Sequence, residues 1–271
     1  MTKAAILLYH RVASLPFDRW GMAVSPERFA QQLDVIAARF TPLPLGEVVR
    51  ALQAKDVPRG AVTVTFDDGY RDVLQAAKPE LERHGVPATV FTVSGYVDSG
   101  RNFWWDELER LAPGLDEGYD AWHAKLQALP ERDRRATLDE LTASLPAAEP
   151  ETLSGDELRL LADGGLVEVG AHTVTHAALT GLGPDEQLDE MRSSKEQLEQ
   201  LLERPVAGFS YPYGIYDAET AARVRAAGFA YACTSERRPA TADDDPFMLP
   251  RLHLEDVSGD ALAERLSEAL V

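Results

Sequence analysis

The stretch Ala61-Val62-Thr63-Val64-Thr65-Phe66-Asp67-Asp68-Gly69-Tyr70 opens as a short β-branched run and ends in two adjacent carboxylates followed by a glycine. Val and Thr in alternation suit a strand buried within a sheet, and the glycine lets the chain turn at once. Acids at the carboxyl end of a strand stand where parallel α/β folds keep their sites. Neighbouring side chains on extended backbone point to opposite sides, which predicts separate roles for Asp67 and Asp68. Asp-Asp-Gly alone is also a common capped turn, so its meaning depends on what surrounds it.

Outward from this stretch, similar apolar runs recur at Ala4 to Tyr9, Ala88 to Val93, Val167 to Ala171, Gly208 to Tyr211, Ala230 to Thr234 and Met248 to Leu252. Segments of helical period separate them, a pattern of parallel α/β sheets and barrels rather than sandwiches. Ser25-Pro26 reads as an N-cap with proline in the first turn, ahead of Phe29, Leu33, Ile36 and Ala37. His84-Gly85 and Ala227-Gly228 stop helices just before strands, and Pro184 begins a long acidic helix with Leu188, Met191, Leu198 and Leu202. Gly100 to Pro150 breaks the rhythm, with three helical patterns (Phe103 to Leu111, Tyr119 to Leu129, Glu131 to Leu145) and no strand among them. It reads as a helical insertion in a single domain spanning residues 1–271. Its Trp104, Trp105, Trp122 and His123 are the residue types that stack on sugar rings or fill cores.

The 271 residues are 45% hydrophobic and 27% charged, an ordinary globular composition, with a formal net charge of −18 that would repel a nucleic acid or an anionic membrane. The acidic run Glu186 to Glu203 reads as a solvated helix face. Cys233 is the only cysteine, so no intrachain disulfide forms and a Cys-rich zinc site is excluded; the expected compartment is reducing. No apolar run reaches the roughly 20 residues of a membrane span, and Met1-Thr2-Lys3 leads into a strand-length run rather than a signal peptide, so the expected location is cytoplasmic.

Two further motifs follow strands. Val167 to Ala171 runs into His172-Thr173-Val174-Thr175-His176, whose two histidines converge on one ion if the loop makes a helical turn, with a carboxylate completing a triad open to water. Phe209-Ser210 leads into Tyr211-Pro212-Tyr213-Gly214, a turn able to aim a backbone N–H inward.

Thr65-Phe66-Asp67-Asp68-Gly69, His172-Thr173-Val174-Thr175-His176 and Tyr211-Pro212-Tyr213-Gly214 together, in this order, resemble the first three motifs of the NodB-homology polysaccharide deacetylases, carbohydrate esterase family 4. The Tyr9-His10-Arg11-Val12 start resembles a branch in which an early histidine does the work of a late one. The resemblance covers Ala4 to about Leu254 but does not explain Gly100 to Pro150. It implies an α/β fold, a distorted (β/α)7 barrel. It implies Asp67 as catalytic base, Asp68, His172 and His176 as ligands of one divalent metal, and the Tyr213 backbone N–H as oxyanion donor. Zinc suits two imidazoles and a carboxylate best, with cobalt, nickel and manganese as alternatives. Tyr211, Pro212 and Trp105 are the expected substrate contacts. The implied reaction is metal-assisted removal of an N-acetyl or N-formyl group from an amino-sugar-containing carbohydrate. Hydrolysis of another C–N bond, or sugar binding without catalysis, are the alternatives.

The third motif usually begins with an arginine that orients the base, and Ser210 stands there instead. Arg251, in Leu249-Pro250-Arg251-Leu252-His253, is the nearest candidate to replace it. The late acid histidine is matched only loosely by His253, which leaves His10, at the end of the first strand, as the favoured acid. Residues two apart on a strand point the same way, so if Arg251 faces the base, His253 approaches as well. His84 reads as a helix-end residue and His123 as insertion surface.

Overall fold

The computed structural model describes residues 3–111 and 118–270. Seven strands, Lys3–Tyr9, Ala61–Phe66, Ala88–Thr92, Val167–Ala171, Gly208–Ser210, Tyr231–Cys233 and Leu252–His253, run parallel. Each pairs with its predecessor in this order except the last, which returns to pair with Lys3–Tyr9. All six residues of Ala61–Phe66 are buried, as expected of a parallel strand covered on both faces. The result is the distorted (β/α)7 barrel expected from the sequence.

The predicted strand Met248 to Leu252 is instead a crossover. Leu249 bridges Cys233 at one edge of the sheet, and Leu252 and His253 then pair with Leu7 and Leu8 at the other. Pro250, which has no N–H to donate, separates the two pairings. Arg251 sits inside this crossing and is wholly buried.

Helix ends follow local chemistry. Pro26–Arg39 starts where expected, but the Ser25 hydroxyl donates to Asp256 Oδ1 at 2.8 Å rather than capping the helix. Gly85 and Gly228 take left-handed backbone after Lys78–His84 and Ala218–Ala226. Gly155–Ala162 carries a reciprocal cap in which Ser154 and Glu157 each satisfy the other's backbone N–H.

The stretch from 100 to 150 folds as the helices Trp104–Leu111, Tyr119–Gln127 and Glu131–Thr142; its residues 112–117 lie outside the described residues. Phe103, Trp104, Trp105, Leu108, Leu126 and Leu138 form an apolar cluster with Tyr70, Val93 and Tyr96, which lie just beyond the ends of the second and third strands. The insertion is therefore seated at the carboxyl end of the barrel.

Register groups the strand exits at one end. Tyr9 lies opposite Phe66, so His10 and Asp67 emerge side by side; Phe66 lies opposite Val90 and Thr92 opposite Ala171, so His172 emerges two residues further along, two strands away. At Asp68 (φ 74°) and Gly69 (φ 88°) the backbone is left-handed, not extended as the sequence reading assumed. A Cβ on Gly69 would stand 2.9 Å from the Thr92 methyl. Gly69→Ala therefore combines left-handed strain with a clash, and should lower the free energy of unfolding by about 1–3 kcal/mol in chemical denaturation. An unchanged denaturation midpoint would show that the turn relaxes without cost.

Candidate active site

Asp67 and Asp68 are both buried, at 3% and 4% exposure, and part company at once. Arg251 grips Asp67 with both arms, Nη1 to Oδ1 at 2.8 Å and Nη2 to Oδ2 at 2.7 Å. Nη2 also donates to the Ser210 hydroxyl at 2.8 Å, and that hydroxyl donates to Asp67 Oδ2 at 3.1 Å. The remaining donors reach the Thr234 carbonyl and the Thr65 hydroxyl. Burial alone would push the Asp67 carboxyl up, but the Arg251 guanidinium beside it holds it well below the usual carboxylate range.

Asp68 has no arginine or lysine ion-pair partner among the described residues. Two imidazole nitrogens face its Oδ1, His172 Nε2 at 3.5 Å and His176 Nε2 at 3.3 Å. Burial pushes the Asp68 carboxyl up and pulls both imidazoles down, His176 to about 3. His172 Nδ1–H donates to the Ser210 carbonyl at 2.8 Å, which leaves its Nε2 lone pair turned to Asp68. One ligand atom from each of the three residues lies within 4.8 Å of the others. Ligands at about 2.0–2.2 Å from one ion stand roughly 3–3.5 Å apart in a tetrahedral set; the two Asp68–imidazole separations match this spacing and make the trio a candidate site for a divalent cation. A buried carboxylate without a counter-charge is costly, and a cation would supply the missing charge.

The His172-to-His176 loop makes no helical turn, contrary to the condition set from sequence. Thr173 (φ 64°) and His176 (φ 58°) are left-handed, and this backbone turns the rings together. The loop is held from outside. Glu190, on the helix Pro184–Leu202, accepts from the Val174 and Thr175 N–H groups at 2.8 and 3.0 Å and from the Thr175 hydroxyl at 2.8 Å. Ser94 and Gly95 N–H groups take the Thr173 and Val174 carbonyls, an approach so close that a Cβ on Gly95 would stand 2.4 Å from the Val174 oxygen. Glu190 lies in the acidic run read from sequence as a solvated face; its charge pattern gave no sign of this task.

A cavity of about 380 Å³ opens over these groups, bordered by His10, Asp67, Asp68, His172, His176, Trp105 and Tyr213. The insertion supplies a wall. Trp105 donates through Nε1 to the Tyr70 hydroxyl at 2.8 Å, that hydroxyl donates to Asp106, and the Trp105 ring lies 4.9 Å from His176. Trp104 Nε1 donates to the Tyr213 hydroxyl at 3.3 Å, tying the insertion to the third motif. His123 borders the cavity too, and is not the plain surface residue expected.

Tyr211 and Pro212 do not meet the expectation of substrate contact. Both are buried and neither borders the cavity; Tyr211 donates to the Phe247 carbonyl at 2.8 Å and packs on Phe209. They anchor the turn from below, and Tyr213, left-handed at φ 60°, is the residue presented. The two candidate acids lie together, the rings of His10 and His253 meeting edge to face at 5.7 Å. His10 borders the cavity; His253 does not, and contacts Arg237. Burial pulls the His10 imidazole below its ordinary value, against the opposing pull of Asp68 and Asp67.

Residues 54–232 match the family model described as polysaccharide deacetylase. The Bacillus subtilis protein YxkH, whose name assigns it to the same family, is 23% identical over 262 residues, covering 96% of this chain and 74% of its own. The poly-β-1,6-N-acetyl-D-glucosamine N-deacetylase of Staphylococcus epidermidis is 22% identical over 256 residues, covering 91% of this chain and 72% of its own. Among solved structures, the Streptococcus pyogenes deacetylase PplD, in complex with acetate, superposes with a TM-score of 0.72 at 22% identity, over 99% of this chain and 98% of its own. The likeness to PplD concerns the fold, while the family match spans most of the strands and the Asp67–Asp68, His172–His176 and Tyr211–Gly214 motifs: the chain belongs to the polysaccharide deacetylase family.

Proposed function

We propose that the protein hydrolyses the N-acetyl group of an amino sugar within a carbohydrate, with one divalent ion, zinc by preference, held by Asp68, His172 and His176. The observation that carries this reading is the sorting of two adjacent buried carboxylates, one paired with Arg251 and the other facing two imidazoles. The name of the staphylococcal relative, which specifies an N-acetylglucosamine polymer, supports the substrate class.

When bound, the ion supplies a Lewis acid that polarises the acetyl carbonyl and lowers the pKa of water toward about 7. Asp67 is the base. Arg251 keeps it ionised and, with Ser210, fixes both its oxygens, so it receives a proton from the attacking water in a set orientation. The Tyr213 backbone N–H is the donor for the developing oxyanion, in a turn whose residue borders the cavity. His10, which borders the same cavity, enters as the imidazolium, the form that the nearby Asp68 and Asp67 carboxylates favour against its burial, and gives that proton to the departing nitrogen. Trp105 closes the wall beside His176 and limits water at the reacting centre.

The test is acetate release from a panel of N-acetylated amino sugars by protein stripped with a chelator and reloaded with Zn²⁺, Co²⁺, Ni²⁺ or Mn²⁺. Release should vanish on stripping and return with the ion. No acetate from any substrate under any ion would sink the reading.

The placement of the two free histidines makes a sharper expectation. His10→Ala should lower kcat by at least about 100-fold with bound metal unchanged, and His253→Ala by much less. Steady-state kinetics beside metal analysis decides it; the reverse ranking would move the acid role to His253.

A further inference from the structure

Beside the reaction cavity lies a cluster of aromatic rings that the chemistry above does not use. Trp20 borders the cavity and is 47% exposed, and Phe17 nearby is 46% exposed. An exposed tryptophan at the mouth of a cavity is an apolar surface kept open to solvent, and such surface commonly marks a binding site. Its segment is pinned in place. The Asp18 carboxylate accepts from the Met22 and Ala23 N–H groups at 2.9 Å each, Arg19 pairs with Asp120 at 2.5 Å, and Trp20 Nε1 donates to the Tyr119 hydroxyl at 3.3 Å. His123 lies between Trp20, at 4.8 Å between centroids, and Trp104, at 4.7 Å. The Trp20 ring is thus backed by the insertion on one side and open on the other, and it costs little further entropy to order on binding.

We propose that Trp20, seated on His123, is the stacking platform for the sugar unit adjoining the one that is deacetylated. A flat ring fixed at a cavity mouth offers its face to the C–H face of a pyranose, while its only N–H is already committed to Tyr119. The platform lies outside the three motifs, on the loop between the first strand and the helix Pro26–Arg39 and on the insertion, so it sets which saccharide is accepted rather than whether the bond breaks. The inference rests on the deacetylase reading and adds that a chain of two or more sugars is preferred over a monosaccharide.

The experiment compares acetate release from N-acetylglucosamine and from its β-1,6-linked tetramer by the metal-loaded wild type and by Trp20→Ala, Trp20→Leu and Trp20→Tyr. Trp20→Ala should raise KM for the tetramer roughly tenfold, with kcat within about twofold and the monomer unaffected. Trp20→Tyr, which restores a flat face, should recover most of the loss, and Trp20→Leu, apolar but not flat, should not. Equal effects on both substrates, no effect on either, or full rescue by leucine would overturn the proposal while leaving the deacetylase reading intact. A wild type that releases acetate from neither saccharide would strike that reading itself.

Discussion

Two ionised carboxylates on consecutive residues, both removed from water, cannot coexist without separate counter-charges. Burying each costs several kcal/mol even after relaxation, and their mutual repulsion adds to that cost. The fold answers with two solutions. Asp67 receives the guanidinium of Arg251, delivered from the far edge of the sheet by the crossover that joins the last strand to the first. Among the described residues Asp68 faces two imidazoles and no arginine or lysine partner, an arrangement that a divalent ion would complete. The closing of the barrel and the electrostatics of the site are therefore one constraint, because the crossover that returns to Lys3–Tyr9 carries the arginine that pairs with Asp67.

A second layer of contacts holds this arrangement in strained backbone. Asp68, Thr173, His176 and Tyr213 all lie in the left-handed region, where non-glycine residues store about 1–3 kcal/mol each. Such conformations persist only where the surroundings determine them. Glu190 bonds three groups of the His172–His176 loop, Gly95 allows the third strand's exit to pack against it, and Trp104 and Trp105 bind the insertion to Tyr213 and Tyr70. The insertion, which the family resemblance leaves unexplained, thus both shapes the cavity and stiffens its rim.

Much of this was legible in the sequence, and for physical reasons. Strand exits carry their motifs in the chain itself, so Asp67, Asp68, His172 and His176 could be placed on one face from the parallel pattern alone. Arg251 could be nominated because the family resemblance implies an arginine that orients the base, and Ser210 stands at its usual place. What could not be read was direction at single residues. The left-handed turns at Asp68, Thr173 and His176 break the extended and helical geometries assumed for them, and Tyr211 and Pro212 point into the core because their turn is anchored on Phe247. Glu190 and Trp20 were hidden because their roles depend on contacts far along the chain, and neither a charge run nor an isolated tryptophan announces such a partner.

The division of labour between the adjacent acids is tested most directly by calorimetric titration of Zn²⁺ into metal-free Asp67→Asn and Asp68→Asn proteins. Removing a direct ligand should weaken binding drastically in Asp68→Asn, while Asp67→Asn, which alters only the carboxylate held by Arg251, should retain affinity near that of the wild type. Loss of Zn²⁺ binding in Asp67→Asn with affinity preserved in Asp68→Asn would reverse the assignment and contradict the account at its root.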